Sequence, residues 1–450
     1  MKTQREIDFT RGGILRPMLL FSIPVFLSNL FQILYNTVDT VVIGHTLGDV
    51  SLAAIGAATA VYDILCALAF GMGNGFAIVA GRHFGSRNGE MLRRTSAASA
   101  VIGFVAAAVI TLGGYFALMP LLRLMSTPEE IIAEAYDYIS VITLGIGAML
   151  AYNLCAALLR AIGDSLMPLC FLIFSSCVNV ALDIALVAGF GMGIRGAAAA
   201  TVTAQGLSAA LCLIYIAKRA RALVPSRKDF RFDAPLYAEM TAQGLSLAMM
   251  ECVVCAGGAI LQGSINSLGY LVVAAHTAAR RMFHIFRIPV SAVNTAVSTF
   301  ASQNYGAGRL DRVRRGTHCG YLAHLVLTIP ITLIAFVFGR AFTAWLSGSS
   351  EPVVLDNAYR YICAAVPCFI VLGVLNCSRN ALQAIGEKVL PVLSSVIELL
   401  GKIVFAAVFV PKWGYAAVIV CEPLIWCLMV AELLPALRIS LKKREKETGH

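Results

Sequence analysis

AGRHFGSRNGEMLRR, residues 80–94, recurs as ASQNYGAGRLDRVRR, residues 301–315. One shift of 221 carries Gly85 onto Gly306 and Arg93-Arg94 onto Arg314-Arg315, and it also places Gly48 on Gly269 and Ala53 on Ala274. A shift of 223 then matches RAIGDSLMP, 160–168, to QAIGEKVLP, 383–391. Self-similarity at a near-constant offset marks an internal duplication. It divides the chain into an N-terminal lobe, 1–217, a linker, 218–235, a C-terminal lobe, 236–437, and a basic tail, 438–450.

Around the matched loops the chain is strongly apolar, with 59% hydrophobic and 13% charged residues in a length of 450. A soluble protein carries about a quarter charged residues, so lipid rather than water must face much of this one. Apolar runs cover 15–43, 51–80, 95–119, 131–157, 166–189 and 194–217, then 236–265, 270–300, 317–345, 353–378, 389–411 and 414–437. Each is close to or above the roughly 20 residues that cross a bilayer. The reading is an all-α polytopic membrane protein, twelve transmembrane helices in two pseudo-twofold-related six-helix bundles. Several runs are long enough to tilt or kink, and Pro24, Pro289, Pro330 and Pro367 lie inside them. The first run is too long and too interrupted for a cleavable leader.

The connectors alternate in charge. Arg82, Arg87, Arg93 and Arg94 share a side with Arg219, Arg221, Arg227, Lys228 and Arg231, with Arg309, Arg312, Arg314 and Arg315, and with the Lys442–Lys446 tail. Opposite connectors hold little beyond Arg123, Arg195, Arg340 and Lys412. Positive-inside logic puts both termini and the linker in the cytoplasm. The net charge of +10 is thus accounted for by topology, and nucleic acid is not expected as a partner. An even number of spans per half sets the pseudo-twofold axis along the membrane normal, and two such bundles can rock to open a cleft to either side in turn.

Ionisable groups inside spans are costly and mark function. Asp39 precedes Gly44 by five residues and Asp183 precedes Gly189 by six, which puts each roughly 8–9 Å below the outer boundary at 1.5 Å rise per residue. Asn179 shares a helical face with Asp183, and Thr201 lies at a similar depth, roughly 10 Å in, on the next span. This oxygen-rich set suits Na⁺, and it equally suits a carboxylate pair sharing one proton. Tyr35 and Asn36 extend the polar turn of span 1. The second half has no carboxylate at 260, and Ala406 stands opposite Asp183, so the cation site is not expected twice. That half carries Glu251, Glu398, Lys402 and Glu422 instead, with Glu398 and Lys402 spaced for an intrahelical ion pair. His276, Arg280, His284 and Arg287 fall on one face of span 8, beside Arg281. That row is expected to line the substrate path with Glu251.

The segments IPVFLSNLFQILYNTVDTVVIGHTLG, LRAIGDSLMP, NVALDIALVAGFGMGIRGAAAAT, SQNYGAG and SSVIELLGK together resemble the multidrug and toxic compound extrusion family over nearly the whole length. The resemblance implies a secondary antiporter of a bacterial inner membrane that exports small organic, often cationic compounds in exchange for Na⁺ or H⁺. It implies a cation site at Asp39, Asn179, Asp183 and Thr201, and a cavity position at Asn153. Arg280 and Arg281 depart from the family pattern and bear on substrate class. A lipid-linked oligosaccharide flippase of the same superfamily is the alternative. No cofactor, no metal beyond a Na⁺ at Asp39 and Asp183, no enzymatic activity and a monomeric state are expected; the thirteen cysteines show no ligand spacing, and no phosphate loop or nucleophile–base pair occurs.

Overall fold

In the computed structural model, residues 7–125 and 127–447 are described, with Asn36, Asp49 and Ala60 described by backbone alone. The first six spans are α1 (Leu15–Leu47), α2 (Asp49–Gly85), α3 (Gly89–Leu124), the pair α4 (Glu129–Leu144) and α5 (Ile146–Ala161), α6 (Leu166–Asp183) with a π-helical turn (Ile184–Gly189), and α7 (Gly193–Lys218). The second six are α8 (Ala234–Asn266), α9 (Tyr270–Gly306), α10 (Leu310–Ser347), the pair α11 (Pro352–Ala365) and α12 (Phe369–Ala384), α13 (Val389–Val404) with a π turn (Phe405–Phe409) and α14 (Val410–Trp413), and α15 (Tyr415–Glu447). Among the described residues there is no strand. Helices satisfy their own backbone hydrogen bonds, which suits a chain with so little polar cover.

Among the described residues, nine helices are long and apolar enough to cross a membrane, and each bent pair adds one more span. The twelfth is α9, 37 residues long, whose Arg280, Arg281, His284 and Arg287 interrupt its apolar surface. The bends recur at the same place in both halves, 48° between α4 and α5 and 49° between α11 and α12. Their local chemistry differs. The first falls at Gly145, packed against Val202 of α7, and the second at Pro367, which cannot donate into the helical ladder.

The chain forms two compact units that divide inside helices rather than in the linker. Leu27–Ala248 with Ile7 and Asp8 makes one, and Phe9–Phe26 with the chain from Met249 onward makes the other. The first part of α8 belongs to the first unit because it runs against α2. A Cβ on Gly71 would stand 2.4 Å from the Ala248 backbone, and one on Gly75 2.5 Å from Gly244. Leu236 and Met240 add their side chains to the core formed there by α2, α4 and α5. In the second unit, α9 packs on α10, α11 and α12, and α13 on α15, around Phe283, Tyr361, Phe369 and Trp426.

The matched loops are tightly built. In RAIGDSLMP, Gly163 has φ +91°, and a Cβ there would lie 2.2 Å from the Ile7 carbonyl oxygen. Ile7 N–H donates to Gly163 O at 3.2 Å. Asp164 accepts from Met167 N–H at 3.1 Å and from the Tyr215 hydroxyl at 2.8 Å, which fixes the entry into α6. In SQNYGAG, Gln303 accepts from Phe9 N–H at 3.0 Å, while Asn304 and Arg312 donate to the Phe9 carbonyl at 3.1 and 3.0 Å. Both loops therefore serve the same structural purpose, since each anchors a stretch of the N-terminal segment.

Candidate cation site and charged cluster

In the first unit the polar residues converge. Asp183 is the last residue of α6, fully buried, and the helix widens into a π turn directly after it. Such turns shift the ladder by one residue and are frequent at functional sites. The carboxyls of Asp183 and of Asp39 on α1 lie within hydrogen-bonding range of each other. Two carboxylates lack the proton to bond one another. Moreover, Asp39 Oδ1, both Asp183 oxygens and both amide atoms of Asn179 are buried and meet no hydrogen-bond partner among the described residues. A buried polar group left unpaired costs about 1–3 kcal/mol, and more when charged. Such a group therefore calls for a partner beyond the described side chains. An alkali cation or a shared proton fits these oxygens, because both are ligands that hard, anionic oxygens attract.

Around the pair stand hydroxyls. Tyr35 OH donates to Thr201 Oγ1 at 3.5 Å, a long bond, within electrostatic range of both carboxyls. Tyr138 of α4, 6% exposed, lies in the same field. It escaped the sequence reading because Tyr138 sits in a YDY run that reads as the start of a span. The Asn36 side chain lies outside the described residues. Asn153 on α5 is buried and donates to the Met149 carbonyl of its own helix at 2.8 Å.

The second unit divides the expected basic row. His276 and Arg280 turn inward, while Arg281, His284 and Arg287 are exposed. His276 Nδ1 is 3.2 Å from Tyr415 OH, and its ring meets Tyr361 edge-on at 5.4 Å. Arg280 Nη1 donates to both Glu422 oxygens at 2.9 and 3.1 Å and lies over the Phe283 ring at 5.0 Å. Tyr361 OH also donates to Glu422, at 2.9 Å. Lys402 donates to Glu398 at 2.8 Å and lies 3.9 Å from Glu422. Two cations thus face two carboxylates at the junction of α9, α11, α13 and α15. Gly257 of α8 makes room for the Lys402 stem, since a Cβ there would stand 2.9 Å from Lys402 Cδ. A helical wheel puts 276, 280, 284 and 287 on one face. A helix inside a bundle is surrounded on more than one side, and neighbours decide which of those residues is covered. Glu251 is exposed, within electrostatic range of Arg287, Arg379 and Glu398.

A family model described as MatE matches residues 24–185 and again 246–408. The chain belongs to the MatE family. The two matches fall on the two halves of the internal duplication. Among relatives, YpnP of Bacillus subtilis, named a probable multidrug resistance protein, is 28% identical, with 85% of this chain and 86% of that protein covered. A FAD transporter of Shewanella oneidensis is 25% identical, with 85% and 84% covered. A crystal structure of MATE in the bent conformation is 20% identical with a TM-score of 0.91 and covers 100% of both chains. This last likeness is one of fold. The MatE helices of this chain thus carry two unlike polar clusters: carboxylates without a hydrogen-bond donor among the described residues in the first unit, and a charge-balanced group in the second.

Proposed function

We propose that this protein is a secondary active antiporter that exports small organic compounds in exchange for Na⁺ or H⁺. The observation that carries the reading is the contact of Asp39 with Asp183, from different helices, with no donor to Asp39 Oδ1 or to either Asp183 oxygen among the described residues. Binding of a cation there stabilises one arrangement of α1 against α6 and α7. Its release on the other side of the membrane permits the reverse arrangement. Exchange requires that cation and substrate each lower the affinity of the other. Family membership and the relatives' names support export. Both termini are read as cytoplasmic, in a bacterial inner membrane, with a monomer as the working unit.

Amphipathic organic cations are the first substrate class, since Glu251 offers an accessible carboxylate. Exposed Arg281, His284 and Arg287 favour a second class, anionic or zwitterionic compounds, and the transport of FAD by one relative agrees with it. The test is proteoliposomes loaded with a fluorescent organic cation, or separately with a fluorescent organic anion, under imposed Na⁺ or H⁺ gradients. Efflux driven by one gradient and abolished by Asp183→Asn supports antiport. Efflux unaffected by either gradient, or unchanged in the variant, overturns it.

A further inference from the structure

The linker 218–235 is folded, not slack. Arg227–Phe230 forms a 3₁₀ turn against the start of α3. Ser226 and Asp229 close it as a capping box: Asp229 Oδ2 accepts from the Ser226 N–H and hydroxyl, both at 2.7 Å. Arg93 on α3 lies 3.4 Å from Asp229, and Arg94 lies 2.9 Å from Glu90. Those two pairs occupy both carboxylates that line the groove between the linker and α3, a space of about 670 Å³. Arg227, Lys228 and Arg231 also line it, and all three are exposed, with no ion pair or side-chain hydrogen bond among the described residues. Five cations therefore surround the groove against two carboxylates, and three of them are unneutralised.

Two aromatic rings flank these cations. Phe230 is 47% exposed and Phe232 71%, the latter packed on Tyr237 at 4.9 Å where α8 begins. Water solvates such rings poorly, whereas the headgroup level of a bilayer suits aromatic rings beside basic side chains. A free phosphate would use the cations and leave the rings in water. A phospholipid satisfies both. We propose that this groove holds the phosphate of an acidic phospholipid, with Phe230 and Phe232 entering the interface beside it.

The test uses the full chain, purified in neutral detergent, with phosphatidylglycerol binding read by native mass spectrometry. An Arg227→Ala/Lys228→Ala/Arg231→Ala variant should bind this lipid at least tenfold more weakly, since each basic side chain near an anionic surface contributes about fivefold. Phe232→Ala should weaken it less, and phosphatidylcholine should bind parent and variant alike. Lys442→Ala/Lys443→Ala, which removes two exposed cations of the tail, should leave binding unchanged. Equal phosphatidylglycerol binding by the triple variant overturns the proposal, and so does an equal loss in the tail variant. Displacement of the lipid by inorganic phosphate, with no effect of Phe232→Ala, would identify a soluble-anion site instead and overturn it too. Equal melting temperatures of parent and variants keep a folding defect from being mistaken for lost binding.

Discussion

Lys402 occupies, under the 223-residue shift, the helical position that Asn179 holds in the first unit, and its ammonium lies 2.8 Å from Glu398. In the first unit the carboxamide is neutral, and no cation among the described residues faces Asp39 or Asp183. In the second unit the chain supplies the cation itself, and Arg280 supplies another to Glu422. A lobe with a built-in cation has no need of one from solution, which accords with the single coupling site proposed above.

Removing that cation should be costly. Lys402→Met leaves Glu398, buried and otherwise unpaired, without its partner, and the expected loss is about 3–5 kcal/mol. The double variant Lys402→Met/Glu398→Gln should regain most of it, because no charge is then stranded. Thermal unfolding in detergent of the parent, both singles and the double measures this. Equal destabilisation in single and double variants would show that packing, not charge, is at stake.

The first-unit carboxylates should behave oppositely. Asp183→Asn removes a buried charge that no donor among the described residues meets, so thermal stability should hold or rise while gradient-driven efflux falls at least about tenfold. Na⁺ or H⁺ should stabilise the parent against unfolding and lose that effect in Asp183→Asn and Asp39→Asn. A cation-dependent shift of equal size in parent and variants would remove this pair from the coupling site.

Gly163→Ala should destabilise the first unit by about 1–3 kcal/mol, since the new Cβ meets a left-handed backbone and the Ile7 carbonyl together. Gly386→Ala is a partial control, since Gly386 shares the positive φ, at +93°. The readout is the midpoint of thermal unfolding, together with protease sensitivity of the N-terminal segment.

The linker turn should depend on acid. The Ser226 N–H and hydroxyl hold the Asp229 carboxyl below its ordinary range, with Arg93 adding to the effect. A folded-state value lower than the unfolded one means that this stabilisation is complete at neutral pH and is lost as pH falls through the folded value. Limited proteolysis of 218–235 should therefore accelerate only in acid, below the ordinary aspartate value of 3.8. Asp229→Asn should be cleaved faster than the parent at neutral pH and show little further change in acid. Cleavage independent of pH in both proteins would show that the capping box does not hold the linker.

The amino-acid sequence by itself determined the twelve spans and the duplication, and it placed Asp39, Asn179, Asp183 and Thr201 at similar depth. These are properties of length, apolarity and 1.5 Å rise, and a bilayer imposes them on each span separately. Tertiary structure decided the rest. Both bent spans break into two helices, but a glycine marks one break and a proline the other, so no common local signal identified them. His276 and Arg280 were legible as costly charges, yet their inward partners Tyr361, Tyr415 and Glu422 lie 81–142 residues further along the chain. Periodicity reports which residues share a face of one helix. Only the packed neighbours determine whether that face meets a carboxylate, an aromatic ring or an open surface.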